Sequence, residues 1–420
     1  MLWLRARQGL RWRSRNTALP AFQSEGLIPD ISNPLISSVT QASATATPGL
    51  SMRRRRVQSA ANAIRPDAER MKCRCNRGYG PVAAYPRPSD QRLPSIGKFA
   101  NLPPDDRKGR DVAVKTEYGL LSVVFPVFNN LDVIRETLPR ILDQDLPLRH
   151  EVVAVDDGSG PEVKAWFSSL QHPALRVVTH AQNRGRAAAR NSGFRASQGG
   201  GVVFLDSDVL VRKSFLAGHA AALGLTGAKS GAHRLSIGRL TDTFQIDPAK
   251  LTQTAALPGR HHFTSANVGA TRTLLLAAQE TAQGPFDEVT FSRYGWEDTE
   301  LERRLRALSP RCMRNSAAAG LHHCPPFQTA SLPAMIDKEI DRAAMARRFL
   351  EKHPGLAVRM MTQMTPLHRV LWEIFALGGL LNTRSLRPLL DWLVTHGHGQ
   401  TAMIVARHCI LNPAYIRHLK

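Results

Sequence analysis

Two aspartates one residue apart, Asp206 and Asp208, stand directly after the apolar run Gly201-Val202-Val203-Phe204-Leu205. A second pair, in Asp156-Asp157-Gly158-Ser159, follows the run EVVAV at 151–155. A third polar cluster, Pro126-Val127-Phe128-Asn129-Asn130, closes the run LLSVVFPV at 120–127. One carboxylate at a strand end is ordinarily a turn or helix-cap residue. Three such clusters in succession, two with paired carboxylates, point instead to a ligand site, because open α/β sheets bind ligands beyond the carboxyl ends of their strands. Aspartates at i and i+2 on an extended segment let one accept from a sugar hydroxyl while the other reaches a divalent cation. Hard oxygen ligands suit Mg²⁺ or Mn²⁺, ions that also hold substrate phosphate oxygens.

Four further segments carry chemistry. Asn183-Arg184-Gly185 leads into a helix bearing Arg186, Arg190 and Asn191. All three arginines have the guanidinium suited to phosphate, and Arg186 and Arg190 share a helix face at i, i+4. Thr264-Ser265-Ala266-Asn267-Val268-Gly269 reads equally as a loop or as a ligand-facing strand start. Tyr294-Gly295-Trp296-Glu297-Asp298-Thr299-Glu300-Leu301 gathers three acids in one helical turn, where the helix dipole favours them in any case. Leu321-His322-His323-Cys324-Pro325 offers imidazoles acceptable to Mn²⁺, whereas Cys324 would serve only a softer metal. Other catalytic signatures are missing: the chain has no GxSxG elbow, P-loop, GxGxxG or HExxH.

The elements that must position these groups alternate. The run at 120–127 reads as a buried strand, and Leu131, Ile134, Leu138 and Ile141 then recur at helical spacing. Strands are expected at 151–155, 175–179 and 201–205, with helices through Val163–Leu170 and Gly185–Ala196. Leu301, Leu305 and Leu308 form the stripe of a later helix. Alternating strands and amphipathic helices predict an α/β domain with a mainly parallel sheet. Beyond it, Ala334–Lys352, Leu367–Leu381 and Leu386–His396 read as helices.

SVVFPVFNN, VAVDDGSG, QNRGRAAARNSGF, VFLDSD and GWEDTEL occur in the order found in family 2 glycosyltransferases of the GT-A, Rossmann-like fold, a resemblance covering roughly 120–325. It implies an inverting, metal-dependent enzyme that moves a sugar from a nucleoside-diphosphate sugar, with UDP as first candidate, to a hydroxyl of a glycan or lipid-linked acceptor. It further implies that Pro126 and Phe128 flank the nucleotide base and that Asp156 bonds its edge, with Ser159 shaping the turn. Asp157 is read as a turn cap. Asn183, Gly185 and Arg190 would serve the diphosphate, leaving Arg184 and Arg186 as solvated surface or further phosphate ligands. Asp206 would contact the ribose, or the metal through water; Asp208 would ligate Mn²⁺ or Mg²⁺, and His322 or His323 would complete that site. Asn267 would lie near the donor sugar. Asp298 is the implied general base, Glu297 orients the acceptor or the loop, and Trp296 offers the acceptor a flat face.

The charge is +22, and residues 1–117 carry 21 Lys and Arg against 9 Asp and Glu while the other 303 carry 35 against 25. A basic balance first raises nucleic acid, yet the acidic strand ends would repel phosphate without a metal, so a non-enzymatic nucleic-acid binder is the weaker reading. A sugar-phosphate nucleotidyltransferase is the nearer rival, but Phe128-Asn129-Asn130 stands where its Gly-rich basic loop belongs. Residues 1–117 lack periodicity and read as a basic, mostly disordered leader: a targeting segment, or an overextended start given Met52 and Met71. Cys73 and Cys75 lack a second pair for zinc, and five cysteines make no disulfide framework. The expected division is leader 1–117, catalytic domain 118–330 and helical extension 331–420. Arginines among aliphatic helices in that extension suit peripheral contact with an anionic bilayer. The expected location is cytoplasmic, at the membrane or free, with organellar targeting by the leader left open.

Overall fold

The structure, a computed structural model, describes residues 116–226, 232–247 and 259–419. The leader expected at 1–117, including Cys73 and Cys75, lies almost wholly outside them.

The central strand β1 (Glu117–Val127) alternates its side chains between two cores. Leu121, Val123, Phe125 and Val127 enter one core; Val124 enters the other. That period of two is what a strand covered on both faces requires. Helix α1 (Leu131–Leu142) returns the chain to β2 (Arg149–Asp156), and α2 (Pro161–Ser169) leads to β3 (Leu175–Thr179). Next come α3 (Arg186–Ala196), β4 (Gly199–Leu205), the short β5 (Val209–Val211), α4 (Phe215–Leu223) and β6 (Arg234–Thr243). The domain continues with β7 (Asn267–Thr271), α5 (Arg272–Ala277), α6 (Glu297–Ala307) and β8 (Arg311–His323). The eight strands form one sheet in the order β3-β2-β1-β4-β7-β6-β8-β5. Pairs β3/β2, β2/β1, β1/β4 and β6/β8 are parallel, while β7 and β5 pair antiparallel with their neighbours.

Side chains of α1, α2 and α4 pack on one face of the sheet, those of α3, α5 and α6 on the other. Helix α3 approaches closely because Gly193 sits where a Cβ would come 2.4 Å from Val124. Val127 and Asp156 are register partners, so the first two polar clusters emerge side by side.

The extension comprises α7 (Leu332–Lys352), α8 (Leu356–Met361), α9 (Pro366–Phe375), α10 (Thr383–Thr395), α11 (Gly399–Ala406) and α12 (Asn412–Arg417). It has an apolar core of its own, built from Leu332, Leu386, Leu390, Ala402, Ala406 and Leu411 among others. The single helix expected over Leu367–Leu381 breaks at Phe375, because Leu377, Gly378 and Gly379 all take positive φ. Helices α8, α11 and α12 lay outside the sequence expectation; two of them have six residues, too few to show a period. Among the described residues no helix is long and apolar enough to cross a membrane.

Candidate active site

The nucleotide end is built at the tips of β1 and β2. Asn129 donates its backbone N–H to Ser159 Oγ at 2.8 Å, and its Oδ1 accepts from Gly160 N–H at 3.0 Å. Asp156 accepts from Ser159 N–H at 2.9 Å through Oδ1, while its Oδ2 is buried with no partner. A buried carboxylate oxygen without a donor is costly, and this one is available to a ring N–H. Phe128 stands 51% exposed at the same edge, and Pro126 is half-buried one turn of the pleat earlier.

Asp157 does the structural work read for it. Its Oδ2 accepts from Gly185 N–H and its Oδ1 from Arg184 N–H, each at 2.9 Å, and His180 Nδ1 stands 2.6 Å from Oδ1. The Asn183-Arg184-Gly185 loop is thereby fastened to the end of β2. Gly158 takes φ +77°, and a Cβ there would lie 2.4 Å from Asn183 N, so the turn accepts no side chain. Gly185, at φ +89°, stands at the N-terminus of α3. Asn183 is exposed at this mouth.

The catalytic end joins β4 to α6 through one residue. Arg190 is 1% exposed; it donates from Nη2 to Asp206 Oδ1 at 2.8 Å and from Nη1 to Glu297 Oε1 at 3.2 Å. Burial would raise the Asp206 pKa, but the guanidinium overrides it and holds that carboxyl below its ordinary value. The diphosphate contact expected of Arg190 is therefore revised: its charge is spent inside the protein, on the first aspartate of the DSD turn and on the first acid of α6. Arg186 is exposed, its field also lowers the Asp206 pKa, and Tyr294 lies beneath its guanidinium at 5.2 Å.

Asp298 follows Glu297 and accepts through Oδ1 from Thr299 N–H at 2.7 Å. Burial, then the neighbouring Glu297 carboxylate, push its pKa up to about 6. Asp208 Oδ1 is buried without a hydrogen-bond partner, and His322 Nε2 lies 3.6 Å from it. That spacing is too long for a hydrogen bond, and a carboxylate oxygen with an imidazole nitrogen is a donor set that suits Mn²⁺. Of the two candidate histidines it is the His322 ring that faces the Asp208 carboxylate; His323 meets Asp208 through the backbone, donating its N–H to Asp208 O at 2.8 Å. His322 is lowered by burial but raised far more by Asp208, Asp242 and Cys324, to about 12.

Two other expectations are revised. Asn267 is fully buried: Oδ1 accepts from His219 Nε2 at 3.0 Å, and Nδ2 donates to the carbonyls of Ala318 (3.0 Å) and Arg239 (3.2 Å). Its amide is consumed in joining β6, β7 and β8, which leaves nothing for a sugar. Trp296 donates its indole N–H to Arg342 O at 3.0 Å and packs on Phe349, so its ring is a joint to α7 rather than an open platform. Asp242, which touches His322, was missed; it ends β6 as the other carboxylates end theirs, and the same signal would have found it.

The family model described as Glycosyl transferase family 2 matches residues 122–233. The succinoglycan biosynthesis protein ExoO of Rhizobium meliloti is 30% identical over 289 residues, 64% of this chain and 80% of the relative. This chain belongs to glycosyltransferase family 2. The pre-mycofactocin glycosyltransferase of Mycobacterium tuberculosis is 37% identical over 114 residues, which are 27% of this chain and 21% of that relative. The solved mannosyltransferase PcManGT from Pyrobaculum calidifontis, in complex with GDP-Man and Mn²⁺, covers 74% of this chain and 91% of its own at 18% identity and a TM-score of 0.43. Family membership, together with the parallel β3-β2-β1-β4 order and the antiparallel β7 beside it, makes this sheet that of the GT-A fold.

The glycosyltransferase anchors its extension through Glu300, two residues past Asp298. Fully buried Glu300 meets Arg304 Nη2 at 2.7 Å, Lys352 Nζ at 2.9 Å and His353 Nε2 at 3.0 Å. Burial would raise its pKa, but these three partners depress it to about 2. A depressed carboxyl contributes stability that is present above its unfolded value and lost as pH falls through the folded one. The expected result is stability falling as pH drops from roughly 4.3 toward about 2. Glu300→Gln should flatten that window and cost on the order of 3 kcal/mol at neutral pH, read by denaturant titration at each pH. An unchanged acid limb would refute it.

Proposed function

We propose that this glycosyltransferase moves a sugar, with inversion, from a nucleoside-diphosphate sugar to an acceptor hydroxyl on a glycan or a lipid-linked glycan. UDP is the first candidate base carrier. The observation that carries the reading is the place of Asp298: it stands in the first turn of α6 next to Glu297, which Arg190 bridges to Asp206, and burial and the Glu297 carboxylate push its pKa up to about 6. A base is most useful when its pKa lies near the working pH. With Oδ1 engaged by Thr299, Oδ2 is the atom that takes the acceptor proton. Asp156 Oδ2 and Phe128 hold the base, the Asn183–Gly185 loop and Arg186 face the diphosphate, and Arg190 positions both carboxylate-bearing turns without touching substrate. Asp208 and His322 would hold Mn²⁺ or Mg²⁺, which when bound neutralises charge on the nucleoside diphosphate. The likeness to a succinoglycan biosynthesis protein favours a glycan acceptor. The test is turnover of a sugar-nucleotide panel with NMR of the product: the account expects the opposite anomeric configuration to the donor, and a retained configuration would overturn the single displacement.

The acceptor is reached at the cytoplasmic face of an anionic membrane. Helix α9 buries none of its residues, and Leu367, Ile374 and Leu380 are 70%, 63% and 74% exposed. Exposed Arg369 lies on the same helix, and exposed Arg384 and Arg387 lie on α10, the next one. Aliphatic side chains enter the acyl boundary while each arginine near an anionic surface adds ~1 kcal/mol. The full chain should co-sediment with vesicles containing phosphatidylglycerol, and Leu367→Glu with Ile374→Glu should reduce bound protein at least tenfold. Equal recovery with neutral vesicles, or no loss in the double variant, would contradict it.

A further inference from the structure

Asp242, His322 and Cys324 meet on the side of the His322 ring turned away from Asp208. Parallel register places Asp242 beside His322 and Thr243 beside His323. Cys324 N–H donates to Thr243 O at 2.8 Å, so the two strand ends stay locked one residue past their pairing. His322 Nδ1 lies 3.1 Å from Asp242 Oδ1 and 3.2 Å from Cys324 Sγ, and that sulfur lies 3.8 Å from the same oxygen. A tetrahedral cation with bonds of ~2.0–2.2 Å to nitrogen and oxygen and ~2.3 Å to sulfur spaces such ligand atoms by roughly 3.3–3.6 Å. Each edge of the observed triangle lies within about 0.2 Å of that range, so small side-chain adjustments would bring the three atoms onto one face of such a tetrahedron.

We propose that Asp242 Oδ1, His322 Nδ1 and Cys324 Sγ form a second metal site, for a thiophilic divalent cation of the Zn²⁺ class, with water in the fourth position. The donor chemistry selects the ion. Thiolate and imidazole favour Zn²⁺, whereas Mg²⁺ prefers oxygen alone. Arg260 pairs with Oδ2 of Asp242, which leaves Oδ1 turned to His322. On binding, the Cys324 thiol and the Nδ1 edge give their protons to solvent and ligate as thiolate and neutral imidazole. The remaining imidazole proton then sits on Nε2, which faces Asp208 Oδ1 at 3.6 Å. A carboxylate behind a metal-bound histidine is the usual outer-shell arrangement.

One imidazole thus serves two cations by different edges. While Nε2 carries its proton, His322 cannot ligate a metal on Asp208, so a thiophilic ion withdraws one ligand from the sugar-transfer site. That consequence rests on the reading of Asp208 and His322 given above; the second site itself does not.

Co²⁺ is the probe, added to the full chain and displaced with Zn²⁺. The expected spectrum has a thiolate-to-cobalt charge-transfer band in the near ultraviolet and visible bands of a tetrahedral ion. Cys324→Ser should abolish the charge-transfer band, and the doubly substituted Cys73→Ser, Cys75→Ser protein should keep it. Asp242→Asn, which spares the sulfur, should weaken Zn²⁺ binding by more than the ~10–100-fold typical of outer-shell changes. Circular dichroism checks that each variant is folded. Absence of the band in the wild type, its survival in Cys324→Ser, or its loss with Cys73 and Cys75 would overturn the site. Asp208→Ala separates the two readings: the band should persist there, and if Mn²⁺ proves irrelevant to nucleotide binding while the band remains, only the catalytic-metal reading falls.

Discussion

Asp298→Asn should lower kcat for sugar transfer by ~10²–10⁴-fold, the usual worth of a general base, with nucleotide affinity within a factor of about two of wild type. The amide keeps the shape and still accepts the Thr299 N–H through its oxygen, so the fold and the Arg190 bridge are undisturbed. In the wild type, transfer should fall as pH drops below about 6, because the carboxyl that burial and Glu297 hold up becomes protonated there. In the variant that acid limb should vanish from the residual rate. A stability change of opposite sign accompanies the loss. A carboxyl with a raised folded pKa favours folding when protonated and loses that contribution as pH rises through about 6. Thermal unfolding at pH 8 should therefore give Asp298→Asn a higher Tm than wild type. A variant with lost nucleotide binding, or an unaltered pH profile, would mark Asp298 as structural.

Arg190→Met should be the most destabilising single change at the site. Removing the guanidinium leaves Asp206 and buried Glu297 without their paired cation. Breaking a buried ion pair from one side costs about 3–5 kcal/mol, and at ~2–4 °C per kcal/mol for a domain of this size the Tm should fall by roughly 6–20 °C. The sign with pH is fixed by the same pair. Wild-type Asp206, held below its ordinary value by Arg190, stabilises the fold above the unfolded carboxyl range and stops doing so as pH falls through its folded value. The deficit of Arg190→Met should thus be largest at neutral pH and shrink in acid, where the stranded carboxylates accept protons. Differential scanning calorimetry from pH 4 to 8 reads it. A Tm within 2 °C of wild type at pH 7 would show that the bridge contributes little.

Much of the catalytic domain was legible because its elements are periodic. The strand at 175–179 was placed to the residue, and β1, β2 and β4 began two or three residues earlier than their apolar runs. The polar strand ends were legible because carboxylates following β-branched runs stand out against their neighbours. What stayed hidden was direction. Arg186 and Arg190 look alike one turn apart, yet residues 187–194 of α3 are all buried, and only the packing shows which guanidinium is enclosed. The small residues around Arg190, from Ala187 to Gly193, were the available sign of a helix wrapped on every side. Asn267 looked like a ligand group because its partners His219, Arg239 and Ala318 are distant in the chain. Trp296 reads as a sugar platform until Phe349 and Arg342, some fifty residues later, close over it.

The central claim, a nucleoside diphosphate held jointly by the strand ends and a cation on Asp208, is tested most directly by calorimetric titration of UDP with and without Mn²⁺. For wild type the account predicts that Mn²⁺ tightens UDP binding at least tenfold. Asp208→Ala should bind UDP as the metal-free wild type does and gain nothing from Mn²⁺. An equal Mn²⁺ enhancement in Asp208→Ala, or none in wild type across the nucleoside diphosphates, would contradict it.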